Sequence, residues 1–215
     1  GDLSRFLQIN GLALPNMASL PHISVAGACA TATHGSGDQN RCLSDAIAAM
    51  KVVTADGEVA SFSREEDEEL LKGAVVGLGG IGIVTELTLD LVPDYQVSQF
   101  VFENLPFSQF EQHLEVIFSS AYSVSLFTNW EKDSFHQVWL KQIHSENAGK
   151  ELNSNFFGAT PAVSACHPIQ GIESIHCTEQ LGAPGPWLDR LPHFRLDFTP
   201  SNGDELQSEY IIPRV

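Results

Sequence analysis

From Ser24 to Gly37 nearly every side chain is small: Ser24-Val25-Ala26-Gly27-Ala28-Cys29-Ala30-Thr31-Ala32-Thr33-His34-Gly35-Ser36-Gly37. Small side chains let another surface approach the main chain closely. Ser24 is a good N-cap, and the N–H groups at a helix start can receive an anion. Between Gly11 and Asn40 there is no Lys or Arg. An anionic group here must therefore be held by neutral donors: backbone amides together with Ser24, Thr31, Thr33, His34 and Ser36. That suits a large cofactor pyrophosphate, which must be bound without drawing in stray phosphates. The same composition also fits a tightly packed Ala/Gly helix contact followed by a flexible turn, and the pattern alone leaves both readings open.

A second stretch, Gly77-Leu78-Gly79-Gly80-Ile81-Gly82, contains G-x-G-G-x-G. The spacing approaches the dinucleotide fingerprint, but the glycines precede a strand pattern and no helix follows, so a Rossmann site is not expected. No Gly-Lys-Ser/Thr appears, which excludes a phosphate-binding P-loop. The stretch also reads as a tight turn into an edge strand. His167, His176 and Cys177 have H-x8-H-C spacing that matches no compact zinc pattern, so no metal site is expected. Gly35-Ser36-Gly37 lacks the G-x-S-x-G elbow of a serine hydrolase. The acidic run from Glu65 to Glu69 reads as a solvated helix face.

The elements that must position these segments follow from periodicity and turn chemistry. Asp2 can cap a short helix through Leu3, Phe6, Leu7 and Ile9, with a break at Gly11 and Pro15. Strand patterns Met50 to Thr54 and Glu58 to Phe62 flank Ala55-Asp56-Gly57, a hairpin signal. Ser63 with Glu66, and later Ser108 with Glu111, fit capping boxes. The second of these leads a helix with Phe110, Leu114, Ile117 and Phe118 on one face. Ile83 to Val92 alternates as a long strand closed by Pro93. Val97 to Phe102, Ser123 to Trp130, His136 to Ile143, His193 to Phe198 and Glu209 to Ile212 read as further strands. The fold class expected is α+β in two parts, with a domain boundary near Pro93 to Tyr95.

Composition narrows the function classes. The chain has 215 residues, with 27 acidic against 11 basic side chains and a net charge of −16. Such a surface repels phosphate backbones and anionic headgroups, so neither nucleic acid nor a membrane is an expected partner. No apolar run approaches the ~18 residues of a spanning helix. Cys29, Cys42, Cys166 and Cys177 form no close C-x-x-C pair, and free thiols in a reducing, cytoplasmic compartment are expected. The first residue is not Met and Val215 directly follows a strand pattern, so both ends read as cut.

Leu12 to Gly27, containing N-M-A-S-L-P-H-I-S, and Thr31 to Gly37, T-x-T-H-G-S-G, strongly resemble the alditol (xylitol, sorbitol) oxidases. These are PCMH-type flavoenzymes of the vanillyl-alcohol-oxidase kind, grouped with the gulono- and arabinono-lactone oxidases. The T-x-T-H-G-S-G stretch is shared across the lactone-oxidase group, while the other points more narrowly to alditol oxidases. The likeness continues through Val53 to Gly57, Leu78 to Thr85, Ala121 to Thr128, Gln137 to Lys141, Cys177 to Gln180, Pro184 to Trp187, Leu191 to Pro200 and Glu205 to Tyr210.

The resemblance implies the C-terminal part of an FAD-binding domain over 1–94, then part of an α+β substrate-binding cap over 95–215. By match to the family's flavin contacts, Ser24, Gly27, Thr31, Ala32, Thr33 and His34 would line the pyrophosphate and flavin. Ile83 and Val84 would meet the adenosine half through their backbone, and Ser19 would touch both flavin and substrate. The implied reaction takes a primary alcohol of an alditol to the aldehyde, with FAD as cofactor, the polyol and O2 as partners and H2O2 as product. In the family, the histidine that can bond to flavin lies before the matched region, and the Glu, Arg and Lys that grip the polyol lie after it. No catalytic residue is therefore expected within these 215 residues, and the chain alone is expected to be inactive, to hold FAD poorly and to aggregate. An aldonolactone oxidase and a non-catalytic relic of the fold are the competing readings.

Overall fold

The computed structural model describes residues 1–144, 155–197 and 206–213. Helix α1 (Asp2–Ile9) carries its apolar residues on one side, and buries Ser4 and Leu7. Its N-cap is Gly1 rather than Asp2, which lies inside the first turn. Strand β1 (Leu12–Ala13) pairs antiparallel with β5 (Val92–Pro93), which brings the start of the chain back against residue 93.

Between them, α2 (Val25–Ala30) is followed by a 3-10 turn (Leu43–Ala46) and by the hairpin of β2 (Ile47–Val53) and β3 (Val59–Ser63). The Asp-Gly turn forms as its residues dictate. Gly57 takes φ +86, and Thr54 and Glu58 close it by a main-chain bond of 2.9 Å. Helix α3 (Glu68–Val75) and strand β4 (Ile83–Leu89) complete the unit. The sheet order is β3-β2-β4, all antiparallel, which leaves β4 an edge strand. Its core is Cys29, Ile47, Met50, Val52, Leu71 and Ala74. Ser63 does accept from the Glu66 N–H, but this closes a turn two residues before the helix. The α3 cap is Asp67, which accepts from Leu70 N–H at 2.9 Å.

Strands β6 (Gln96–Pro106), β7 (Ser123–Phe127) and β8 (Ser134–His144) form the second sheet, with β9 (Thr160–Pro161) and β10 (Gly185–Pro186) along the outer edge of β6. Helix α4 (Phe107–Phe118) covers one face, where Phe102, Leu105, Ile117, Val138 and Leu140 are buried. No side chain caps α4: Pro106 occupies the N-cap and Ser108 falls inside the helix, so the predicted capping box does not form. The other face, at Val101 and Trp139, is covered by Ala162, Cys166, Cys177 and Phe194 of the irregular chain after β9. Gln137 to Lys141 are consequently buried five in a row, the mark of a strand covered on both faces.

Two predicted strands are absent. His193 and Phe194 make a single bridge, Phe194 to Cys177, and the chain then turns at Leu196 and Asp197, with residue 198 outside the described residues. Glu209 to Ile212 have no strand partner among the described residues. The halves on either side of residue 94 share a third core: Leu7, Ala13 and Met17 pack with Val97, Trp187 and Leu191.

Candidate functional site

Helix α2 exists because Ser24 caps it: the Ser24 hydroxyl accepts the Gly27 N–H at 3.1 Å. A side chain at Gly27 would crowd that hydroxyl, with a Cβ only 2.7 Å from it. The spacing 24, 27, 31 puts three of the predicted residues on one exposed face of this short helix, while Ala28 and Cys29 are buried behind it. The face presents two hydroxyls and bare backbone. Thr31 donates to the Gly27 carbonyl at 3.0 Å and lies 3.1 Å from the Thr33 hydroxyl, so both threonines are fixed before any ligand arrives.

The helix ends in a Schellman arrangement. Ala32 N–H reaches the Cys29 carbonyl at 3.2 Å and Thr33 N–H the Ala28 carbonyl at 2.9 Å. The residue that must then be left-handed is Ala32, at φ +54, a place where glycine is the usual occupant.

The structure changes the sequence reading at two of the donors. His34 lies within 2.8 Å of the Gly35 carbonyl through Nδ1 and 2.9 Å of the Glu209 carboxylate through Nε2. Both partners are acceptors, so when both contacts are made the ring donates through both nitrogens, which favours its charged form. The Gly35 carbonyl first, and then Glu209, hold its pKa above the ordinary value. Ser36 points away from α2 and shares its hydroxyl with Ser123 and Ser125 of β7, at 2.5 and 3.0 Å. Gly35 makes this docking possible, because a Cβ there would collide with Asn16 and the Met17 carbonyl.

The second glycine-rich stretch joins α2 directly. Leu78 N–H donates to the Ala30 carbonyl at 3.1 Å, and Leu78, Gly79 and Gly82 all take positive φ. At Gly82 a Cβ would strike the Val53 carbonyl, so only glycine lets β4 start this close to β2. A small gap between the two segments is walled by Ala26, Ala30, Gly79, Gly82 and Val84. Ile83 faces outward, 72% exposed, on the edge strand, so part of this main chain has no strand beside it. Beyond the other side of α2 lies a cavity of ≈ 350 Å³ with mainly apolar walls, including Leu3, Leu14, Met17, Leu20 and Val25, and with Ser24 at its rim. Ser24, Gly27, Thr31, Ala32, Thr33 and Val84 are thus gathered around one short helix.

Ser19 is held from the other half of the chain. Its hydroxyl is 2.7 Å from Nδ1 of His193, and its carbonyl accepts the Phe194 N–H at 3.3 Å. Beneath His193, Lys141 donates to the carbonyls of Leu191 and Pro192 (the latter at 3.0 Å), and Thr178 donates to Pro192 at 2.7 Å. Desolvation lowers the Lys141 pKa to about 7. Sequence reasoning missed both His193 and Lys141. Ser19 and His193 are 174 positions apart, which no spacing rule spans. Lys141 did leave a signal, as a charged residue closing the strand run Val138-Trp139-Leu140-Lys141.

All four cysteines are free thiols. Among the described residues no group of three or more His, Cys, Asp or Glu could hold a metal ion, and no helix is long and apolar enough to cross a membrane.

Residues 1–63, which carry α2 and the Thr31 to Gly37 run, match the family model described as FAD binding domain. The cofactor that this likeness implies is FAD. Among relatives, the chain is 49% identical over 214 residues to the alditol oxidase of a Streptomyces species (strain IKD472), covering 100% of this chain and 49% of that protein. It is 34% identical to the D-arabinono-1,4-lactone oxidase of Debaryomyces hansenii and 36% identical to that of Yarrowia lipolytica. Each of these alignments runs over 96 residues, 45% of this chain and 17% and 18% of the relatives. The chain spans about half the length of the alditol oxidase and less of the lactone oxidases.

Proposed function

We propose that this chain belongs to an FAD-dependent oxidase that converts a primary alcohol of an alditol such as xylitol or sorbitol to the aldehyde. The observation that carries the reading is the 49% identity to an alditol oxidase along the whole chain, cap segments included. The exposed face of α2 fits the cofactor's demands, being free of bulky side chains and carrying fixed hydroxyls. Ser24, Gly27, Thr31, Ala32, Thr33 and His34 would line the pyrophosphate and flavin, and the β4 backbone at Ile83 and Val84 the adenosine half. Ser19 would meet flavin and substrate. Residues 1–94 act as the flavin-holding part and 95–215 as the cap.

FAD, when bound, supplies the hydride acceptor and the route by which electrons reach O2. The protein's own contribution within this chain is positional. The Ala32 turn fixes the threonine hydroxyls, the Ser36 contact to β7 docks the glycine run on the cap, and the cap holds Ser19 in place. The polyol and O2 are the partners, and the compartment is the cytoplasm.

The test is H2O2 release by the complete gene product on xylitol, sorbitol and D-arabinono-1,4-lactone. Peroxide on the alditols, well above that on the lactone, is expected. Peroxide on the lactone alone would reassign the substrate class, and a protein silent on all three would overturn the oxidase reading.

A further inference from the structure

His193 lies in a stretch that sequence reasoning expected to be an ordinary strand, yet it is one of the most constrained side chains in the molecule. Its exposure is only 8%. The ring packs against Trp139 and Phe127, with centroids 5.2 and 5.7 Å away, the second edge-on. Its main chain is fixed as firmly: the His193 carbonyl accepts the Thr178 N–H at 3.0 Å, and Gln99 reaches Thr178 from β6. The two residues before it are tied down by the Lys141 ammonium. Everything around the ring therefore holds one nitrogen, Nδ1, against the Ser19 hydroxyl at 2.7 Å.

The ring's other nitrogen decides the proton's place. Nε2 is buried and has no hydrogen-bond partner among the described residues. Burial, reinforced by the nearby Lys141 charge, keeps the ring neutral, so it carries a single proton. A proton on Nε2 would be a buried N–H with nothing to donate to, a rarer and costlier defect than an unused lone pair. The proton belongs on Nδ1, and Nδ1–H donates to Ser19 Oγ.

We propose that His193 is a positioning residue that occupies the acceptor side of Ser19, so that the Ser19 hydroxyl proton is directed outward to an acceptor atom of the bound ligand. This rests on the reading of Ser19 as the residue that meets flavin and substrate. The ligand class follows from the polarity: an oxygen or nitrogen acceptor, such as an alditol hydroxyl oxygen or a flavin ring nitrogen. Ser19 acts as a donor toward the ligand, because Nδ1–H takes one of its two lone pairs and leaves the hydroxyl proton free to point outward.

Two measurements on the complete gene product test this separately from the oxidase reading. The first is the tautomer of His193 in protein labelled with 15N-histidine. A pyrrole-type signal at Nδ1 and a pyridine-type signal at Nε2 are expected, with the assignment made from the His193→Phe variant. The reverse pattern overturns the proposal whether or not the protein oxidises alditols. The second is a set of variants read as kcat and KM on the alditol, alongside bound flavin. Asn places an amide donor where Nδ1 sits, whereas Phe keeps only the packing. His193→Phe and Ser19→Ala are each expected to lower kcat about tenfold, with the double variant no worse than either alone. His193→Asn is expected to recover kcat to within about threefold of the wild type. Additive losses, or an Asn variant as impaired as Phe at equal flavin content, overturn the proposal. If a variant does not fold, the tautomer still decides.

Discussion

Ala32 concentrates the logic of the site in one residue. Its positive φ lets the chain reverse after a six-residue helix, so that Thr31 and Thr33 share a hydrogen bond and the exposed face of α2 is complete. Left-handed backbone costs an L-residue with a Cβ about 1–2 kcal/mol. The substitution Ala32→Gly is therefore expected to raise unfolding stability by about 1 kcal/mol in urea titrations. A loss of stability would show that the methyl is packed and not strained. At this scale the sequence was most informative. Ser24 as a cap and the small-residue face both follow from residue type. His34 gains a carboxylate partner, Glu209, 175 positions away, which no local pattern reports. Ser36 was misjudged for the same reason, its partners lying in β7.

Among the elements, those fixed by local chemistry were legible and those fixed by tertiary partners were not. The Asp-Gly hairpin and the helices over 2–9 and 107–118 form where periodicity places them. Both proposed capping boxes failed: Asp67 outcompetes Ser63, and Pro106 takes the place expected of Ser108. The segment at His193 alternates like a strand, but its main-chain groups are taken by Thr178, Ser19 and His176, so one bridge forms and the pairing stops.

Strand β8 illustrates the energetic side of the same point. It buries Lys141 because the carbonyls of Leu191 and Pro192 need a donor, and desolvation lowers the lysine's pKa from 10.5 to about 7. Between those two values the unfolded chain binds a proton that the folded chain has released, so stability rises with pH there. From pH 7 to 9 the slope contributed by this residue is expected to approach about 1.4 kcal/mol per pH unit. Urea unfolding of the wild type against Lys141→Met would measure it. An equal slope in both proteins would mean that the lysine titrates normally.

For the whole molecule, the two halves are not independent. Met17 and Leu7 share a core with Val97 and Trp187, Tyr95 and Tyr122 donate to the carbonyls of Leu14 and Pro15, and Asn40 donates to the Tyr122 carbonyl. The segment from Leu14 to Ser24, which leads into α2, is thus held partly by the second half. The proposed site residues accordingly span both: α2 and β4 carry those proposed to face the cofactor, while His193 and the Lys141 network hold Ser19. Sequence composition indicated an α+β chain without affinity for polyanions, and it also suggested a boundary near residue 94. It could not indicate the shared core, because Trp187 and Leu191 lie in a stretch whose Gly, Pro and His content reads as loop.

The central claim is that the small-residue face of α2 and the strained turn after it cradle a flavin. Flavin content per polypeptide in the purified complete gene product, read from its visible absorbance beside that of a Gly27→Val variant, tests this most directly. Stoichiometric flavin in the wild type and a clear loss in the variant are predicted. A colourless wild type that takes up no added FAD, or a variant that folds and keeps its full flavin content, would contradict it.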